Sequence, residues 1–199
     1  AGPFHSQTNE AWFTKTPGLK VVYPAFPMDA KGLLISAIED PNPILFFEHK
    51  ALYRSISQSV PNGYYNLPIG KAALVKEGSE ATIVTYGAGV HWAIETREKT
   101  VEIKVDLIDL RTLMPLDWET IYASVRKTSR LIILQEDSLF GGISSDIAAS
   151  VQEDLFEYLD APIKRVASLD TPIPFAKSLE EEYLPRKRFE KALLELLNF

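Results

Sequence analysis

The chemistry this sequence can offer sits in its three histidines, one acidic turn and two glycine pairs. His5 stands in a polar step, His5-Ser6-Gln7, ahead of a stretch that reads as a helix. An imidazole there can serve as an acid or a hydrogen-bond donor near neutral pH. His49 follows a strand-like run in Phe47-Glu48-His49-Lys50, and His91 falls in the first turn of an expected helix. Both read as packing or surface residues. No two of the three have the local spacing of a zinc motif. With no cysteine, thiolate nucleophiles, disulfides and Cys-based zinc sites are excluded together.

Asp40-Pro41-Asn42-Pro43 puts a carboxylate and an amide on a helix-ending loop. Such oxygens, with nearby backbone carbonyls, can bind a hard cation, although the same residues make an ordinary turn. Gly87-Ala88-Gly89 follows a strand-like run but lacks the third glycine of a dinucleotide fingerprint. Gly141-Gly142-Ile143-Ser144-Ser145 could offer helix-start amides to an anion, or Ser144 could simply cap that helix. Neither a phosphate loop of the Gly-x-x-x-x-Gly-Lys type nor a Gly-x-Ser-x-Gly elbow is present.

Elements must hold these residues. Ser6 or Thr8 is expected to cap a helix near 7–15, which Thr16-Pro17-Gly18 stops. A strand follows at 18–24. A helix near 29–39, capped by Asp29, presents Leu33, Leu34, Ala37 and Ile38 on one face. Ile44-Leu45-Phe46-Phe47 is continuously apolar, as in a strand buried on both faces. Residues 51–70 carry Pro, Asn and Gly without a helical period, which predicts a connection. Beyond it, strands at 81–86, 101–110, 131–134 and 163–167 alternate with helices near 90–99, 117–127 and 144–159. A last helix opens at Pro185 with Phe189, Leu193 and Leu196 facing inward. This alternation predicts an α/β fold with a mostly parallel sheet covered on both faces.

Composition narrows the function classes. The chain has 199 residues, 46% of them hydrophobic and 24% charged, which is ordinary globular composition. The formal charge is -6 and no segment is strongly basic, which argues against a nucleic-acid partner. No apolar run approaches the ~18 residues of a membrane-spanning helix. The start, Ala1-Gly2-Pro3-Phe4, has the character of an internal stretch, so a longer parent is expected.

Taken in order, the motifs resemble the β subunit of thiamine-dependent 2-oxo acid dehydrogenases. In the first block they are Gly2-Pro3-Phe4-His5-Ser6-Gln7-x-x-Glu10-Ala11-x-Phe13, Pro17-Gly18-Leu19-Lys20-Val21-Val22 and Asp29-Ala30-Lys31-Gly32-Leu33-Leu34. Glu39-Asp40-Pro41-Asn42-Pro43 and Phe46-Phe47-Glu48-x-Lys50-x-Leu52-Tyr53-Arg54 continue them. The second block adds Val105 to Asp117, Gly141-Gly142 and Asp170-Thr171-Pro172-x-Pro174. The details are most like the branched-chain enzyme. The pyruvate enzyme is the close alternative, and acetoin dehydrogenase shares the architecture.

The resemblance implies the second half of a pyrimidine-binding domain at 1–55, a linker at 56–69 and a transketolase C-terminal-like domain at 70–199. It implies that His5 is the active-site histidine, touching substrate or intermediate and serving acyl transfer to a lipoyl arm. It implies a potassium site formed by the Ala37 carbonyl with Asp40 and Asn42. Thiamine diphosphate and magnesium belong to the complete enzyme, because the family's Gly-Asp-Gly…Asn motif lies in the α part and the activating Glu lies upstream. The chain alone is therefore expected to be inactive. The implied partners are an α subunit or α domain, a second β chain in a heterotetramer, and the lipoyl-bearing acyltransferase. The implied compartment is a bacterial cytoplasm, with the mitochondrial matrix as the alternative. As an isolated piece, the chain would be a non-catalytic dimerisation and acyltransferase-docking module.

Overall fold

The computed structural model describes residues 2–99 and 103–199. Its centre is built from three strands that are buried along most of their length: β4 (Ala81–Thr85), β5 (Val105–Asp109) and β7 (Leu131–Ser138). These pair in parallel, and β8 (Lys164–Ser168) adds to β7 in the same direction. Among the described residues, the larger sheet has the order β3-β5-β4-β7-β8, with β3 (Ala73–Lys76) as an antiparallel edge. The strand expected from 101 is described from Val105; residues 101 and 102 lie outside the described residues.

Successive side chains of a strand point to opposite faces, so the sheet supports two cores. On one face Ile83, Leu107 and Ile132 meet α5 (Ala88–Lys99) and α9 (Arg186–Leu197), whose Phe189, Leu193 and Leu196 point inward as their spacing predicts. On the other face Val84, Ile108 and Ile133 meet α6 (Trp118–Thr128) and α7 (Ile143–Leu155). Asp117 caps α6: its carboxylate accepts from the Thr120 N–H at 3.3 Å and the Thr120 hydroxyl at 2.8 Å. The short α8 (Lys177–Tyr183) precedes α9 and was not signalled by any long apolar period.

The N-terminal segment forms a smaller sheet. β1 (Lys20–Val22) runs parallel to β2 (Ile44–Phe46), joined by α3 (Pro27–Glu39). The third strand comes from the other domain: β6 (Thr112–Met114) pairs antiparallel with β1. Val21 and Tyr23 therefore belong to the same core as Val84 and Ile108. β2 is an edge strand and only half-buried, so the expected burial on both faces does not occur among the described residues.

Other local expectations change as well. The helix expected at 7–15 is shorter, α2 (Glu10–Thr14), with a separate α1 (Gly2–His5) ahead of it, and neither Ser6 nor Thr8 caps α2. α3 begins at Pro27, where the fixed φ of proline suits a first helical position, and Asp29 is not its cap. After the short α4 (Leu52–Ser55), residues 58–67 lie along α3, and Gly70 and Ala72 turn to Thr112 and Asp117. There the Leu67 N–H donates to the Gly32 carbonyl at 3.2 Å, the Tyr65 hydroxyl to the Met28 carbonyl at 2.8 Å and the Ser36 hydroxyl to the Leu67 carbonyl at 2.5 Å. No helix among the described residues is long and apolar enough to cross a membrane.

Candidate functional site

His5 ends α1, and its side chain is exposed. It precedes a non-helical stretch, 6–9, that leads into α2. The segment carrying it is held against the C-terminal domain by buried polar groups that local sequence patterns do not announce.

Glu10, the first residue of α2, is only 1% exposed. The Tyr86 hydroxyl, just beyond β4, donates to Glu10 Oε1 at 2.6 Å, while Oε2 has no partner. Burial pushes the Glu10 carboxyl up to about 7, the Tyr86 hydrogen bond only partly opposing it. Tyr23 stacks on Phe47 at 5.6 Å between centroids and leans on Tyr86 at 5.5 Å, which walls the pair off from water. Close by, His49 Nε2 lies 2.8 Å from Glu136 Oε2 and ties the exit of β2 to β7.

A second tie fixes α3. Arg111 grips Asp29 with a two-pronged bond, Nε to Oδ2 at 2.9 Å and Nη2 to Oδ1 at 2.7 Å. The planar guanidinium fork matches a carboxylate in this way. To aim it, Arg111 adopts φ 58°, a left-handed conformation unusual for a residue with a Cβ. The neighbouring Asp109 is fully buried; its Oδ1 accepts from the Arg111 N–H at 3.1 Å and its Oδ2 has no partner. Burial pushes its carboxyl up to about 7, and the charge of Asp29 adds to the push.

Ala37 lies on the last turn of α3, Asp40 is its C-cap and Asn42 stands in the turn just beyond, away from α1 in the sequence. The Asp40 carboxylate is already engaged: Oδ2 accepts from the Lys20 ammonium, and Oδ1 from the Asn42 backbone N–H at 2.9 Å and side-chain amide at 2.8 Å. The Lys20 hydrogen bond chiefly holds this carboxyl down at about 2. The turn can still offer a cation backbone carbonyls. Four residues after Ala37 comes Pro41, which has no N–H to close the helical bond to the Ala37 carbonyl.

The remaining motifs serve the fold. Gly87 adopts φ 54° beneath the Tyr23 ring, the freedom a strand-to-helix turn needs. At Gly141-Gly142, the Ser144 N–H donates to Gln135 Oε1 at 2.9 Å, which removes a donor from the anion-binding reading, and Ser144 does not cap α7. That turn borders a groove of about 1130 Å³ that also reaches Lys15, Trp118 and Arg165. His91 packs: its Nε2 donates to the Ala25 carbonyl at 2.8 Å and its ring meets the edge of Phe26.

Reading types and spacing singled out His5 and the Asp40 turn but passed over Glu10, Asp29 and Arg111 as anchors. The one available signal was their presence in the motifs Gln7-x-x-Glu10, Asp29-Ala30-Lys31-Gly32 and Asp109-Leu110-Arg111-Thr112.

Comparison with known proteins agrees with this architecture. The family described as transketolase, pyrimidine binding domain, matches residues 1–55, and transketolase, C-terminal domain, matches residues 70–188. A 2-oxoisovalerate dehydrogenase subunit beta, mitochondrial, of Dictyostelium discoideum is 45% identical over 95% of this chain and 52% of its own length. An acetoin:2,6-dichlorophenolindophenol oxidoreductase subunit beta of Bacillus subtilis is 44% identical over 97% of this chain and 57% of its own. A pyruvate dehydrogenase E1 component subunit beta-1, mitochondrial, of Arabidopsis thaliana is 45% identical over 93% of this chain and 52% of its own. The chain thus spans about half the length of the curated relatives it matches. Among solved structures, a split-gene transketolase described as an inactive beta4 tetramer superposes with a TM-score of 0.75 at 25% identity, over 94% of this chain and 60% of that one. The chain belongs to the transketolase C-terminal domain family, carries part of that family's pyrimidine-binding domain ahead of it, and resembles 2-oxo acid dehydrogenase β subunits over nearly all of its length.

Proposed function

We propose that this chain is the β part of the dehydrogenase component of a 2-oxo acid dehydrogenase complex, most like the branched-chain enzyme. The observation that carries the reading is the ordered match to such β subunits along both domains. In this reading the chain works with an α subunit or α domain and a second β chain, and passes its acyl group to a lipoyl-bearing acyltransferase. Its compartment is a bacterial cytoplasm, or the matrix for a mitochondrial form.

An exposed imidazole on a short surface helix suits a cofactor held mainly by another chain. Thiamine diphosphate, held with magnesium by the α part, supplies the electron sink for decarboxylation when bound. His5 would donate a hydrogen bond to the oxygen on the substrate's reacting carbon, and would protonate the lipoyl sulfur released from the disulfide as the other sulfur takes the acyl group. The buried ties at Glu10 and Arg111 keep its segment against the C-terminal domain.

The test is reconstitution. The complete β chain, assembled with its α partner, thiamine diphosphate and magnesium, acylates a lipoyl domain from 2-oxoisovalerate. Its kcat/KM for that substrate exceeds that for pyruvate by about tenfold or more, the scale on which an apolar pocket separates side chains of different size. Preference for pyruvate or acetoin moves the assignment to those enzymes, whose β subunits match at similar identity. No acylation from any of the three sinks the reading.

A potassium ion is proposed at the end of α3, held by backbone carbonyls including that of Ala37, with Asp40 and Asn42 shaping the turn. A ligand that binds only the folded state stabilises it by about 2.7 kcal/mol at 100 times its dissociation constant. The melting temperature therefore rises in potassium relative to tetramethylammonium at equal ionic strength. Asp40→Ala combined with Asn42→Ala removes the difference. A wild-type melting temperature indifferent to the cation overturns the site.

A further inference from the structure

The His5 loop hangs between two attachments, both on the C-terminal domain. Upstream, Gly2 is buried beneath the Phe175 ring, and Phe4 meets the same ring at 6.4 Å between centroids. Both rings are largely exposed, so this contact removes little apolar area from water. Downstream, the loop ends at Glu10, whose bond to Tyr86 is buried. The second attachment is therefore the one that fixes the loop.

We propose that Glu10, held as the neutral acid against Tyr86, is a positioning residue for His5: it fastens the downstream end of the His5 loop to the C-terminal domain, and the fastening loosens as the solution turns alkaline. The positioning rests on the role proposed above for His5; the fastening itself does not.

The surroundings of Glu10 argue for the neutral form. The titratable groups that face it are Tyr86 beyond β4, Tyr23 beyond β1, Glu136 and Asp137 on β7, and His49 beyond β2. The tyrosines are held in their neutral forms by burial, the two acids repel a charge on Glu10, and the His49 ring is engaged with Glu136. An ionised Glu10 would leave Oε2 buried and unpartnered among like charges. A buried charge without a partner gives up its charge instead.

The sign follows from the same facts. Burial raises the Glu10 carboxyl from 4.5 to about 7 in the folded chain. The protonated form is thus favoured by folding. Its contribution is complete below 4.5 and is lost as pH rises through about 7. His49 acts in the same direction. Burial, the largest effect, lowers it, but the hydrogen bond and charge of Glu136, together with the charge that Glu10 carries once ionised, raise it above 6.5. That tie also weakens as pH rises. Asp109, raised to about 7 beside Arg111, titrates elsewhere between the two domains in the same window. Alkaline loosening of the wild type therefore has more than one source, and the test must isolate Glu10.

Glu10→Gln does so, because the carboxamide stays neutral at every pH and its oxygen can still accept from Tyr86. Amide hydrogen exchange over residues 6–14, corrected for intrinsic pH dependence, is measured at about pH 6 and about pH 8.5. Opening in the wild type rises about tenfold or more between them, the scale of one unit or more above the titration midpoint. Glu10→Gln loses most of that rise, keeping only what His49 and Asp109 contribute, and Glu10→Ala exchanges fast at both. Should Glu10→Ala not fold, the comparison of wild type with Gln decides alone. A Gln variant that opens with pH like the wild type, or a wild type without the excess opening, overturns the fastening. In the complete αβ enzyme, the pH profile of kcat for acyl transfer falls on its alkaline side about tenfold in the wild type, with KM little changed, and Glu10→Gln flattens that limb. An unchanged limb with the expected exchange result overturns the positioning of His5 and leaves a structural tie. Absence of any acyl transfer counts against the proposed function instead, and the exchange arm still decides the fastening.

Discussion

Replacing His5 by alanine in the complete β chain, paired with its α partner, lowers acyl transfer to a lipoyl domain by about 10²- to 10⁴-fold, the usual cost of removing a positioned acid or base. The dissociation constant for thiamine diphosphate changes little, because in the proposed assembly the α part, not His5, holds the cofactor's diphosphate. The fold also survives. His5 is exposed at the end of a four-residue helix, and its imidazole fills no part of either buried core. The informative measurement is paired: cofactor affinity by titration and acyl transfer in a single turnover. A loss confined to transfer marks a group that acts on the reacting atoms. Near-normal transfer returns His5 to the status of a surface residue flanking a loop. Loss of cofactor affinity with transfer intact would place the imidazole on the cofactor rather than on the acyl group.

The second large effect is on stability. Arg111→Ala destabilises the chain by about 3–5 kcal/mol, the range for removing one partner of a buried ion pair. Asp29 is only 2% exposed, and without the guanidinium it would be a buried carboxylate next to the equally buried Asp109. The reverse change, Asp29→Ala, costs less, because Arg111 retains a path to water through its partly exposed side chain. Arg111→Gly separates charge from backbone. Glycine adopts the φ of 58° without strain, so it recovers about 1 kcal/mol relative to alanine while still lacking the fork. Chemical denaturation of wild type and the three variants gives the order directly. An Arg111→Ala chain within about 1 kcal/mol of wild type would show that the pair does not hold α3 in place.

Much of the architecture is encoded locally. The apolar run Leu131-Ile132-Ile133-Leu134 made β7 legible as a buried strand, since a strand covered on both faces needs no polar alternation, and β4 was legible as a strand though threonines interrupt its apolar residues. The spacing of Phe189, Leu193 and Leu196 marked the inner face of α9, and Asp117 marked the start of α6. His5 and the Asp40 turn were visible because their residue types and motif context lie within a few positions of one another.

What the sequence did not disclose depends on partners distant along the chain. β3 and β6 are short strands whose existence is set by the strands they pair with, β5 and β1. Ile44-Leu45-Phe46 has the composition of a central strand, yet its burial depends on what lies beside it, and here it is an edge. Asp29 lies where a helix cap is expected, but a guanidinium 82 positions away claims its carboxylate. Glu10 looks like an ordinary first-turn acid. Its burial against Tyr86, 76 positions along, turns it into a neutral hydrogen-bond acceptor. Periodicity records which way a side chain faces its own element. Which charge or hydroxyl waits on the other side is decided only when the sheets close on one another.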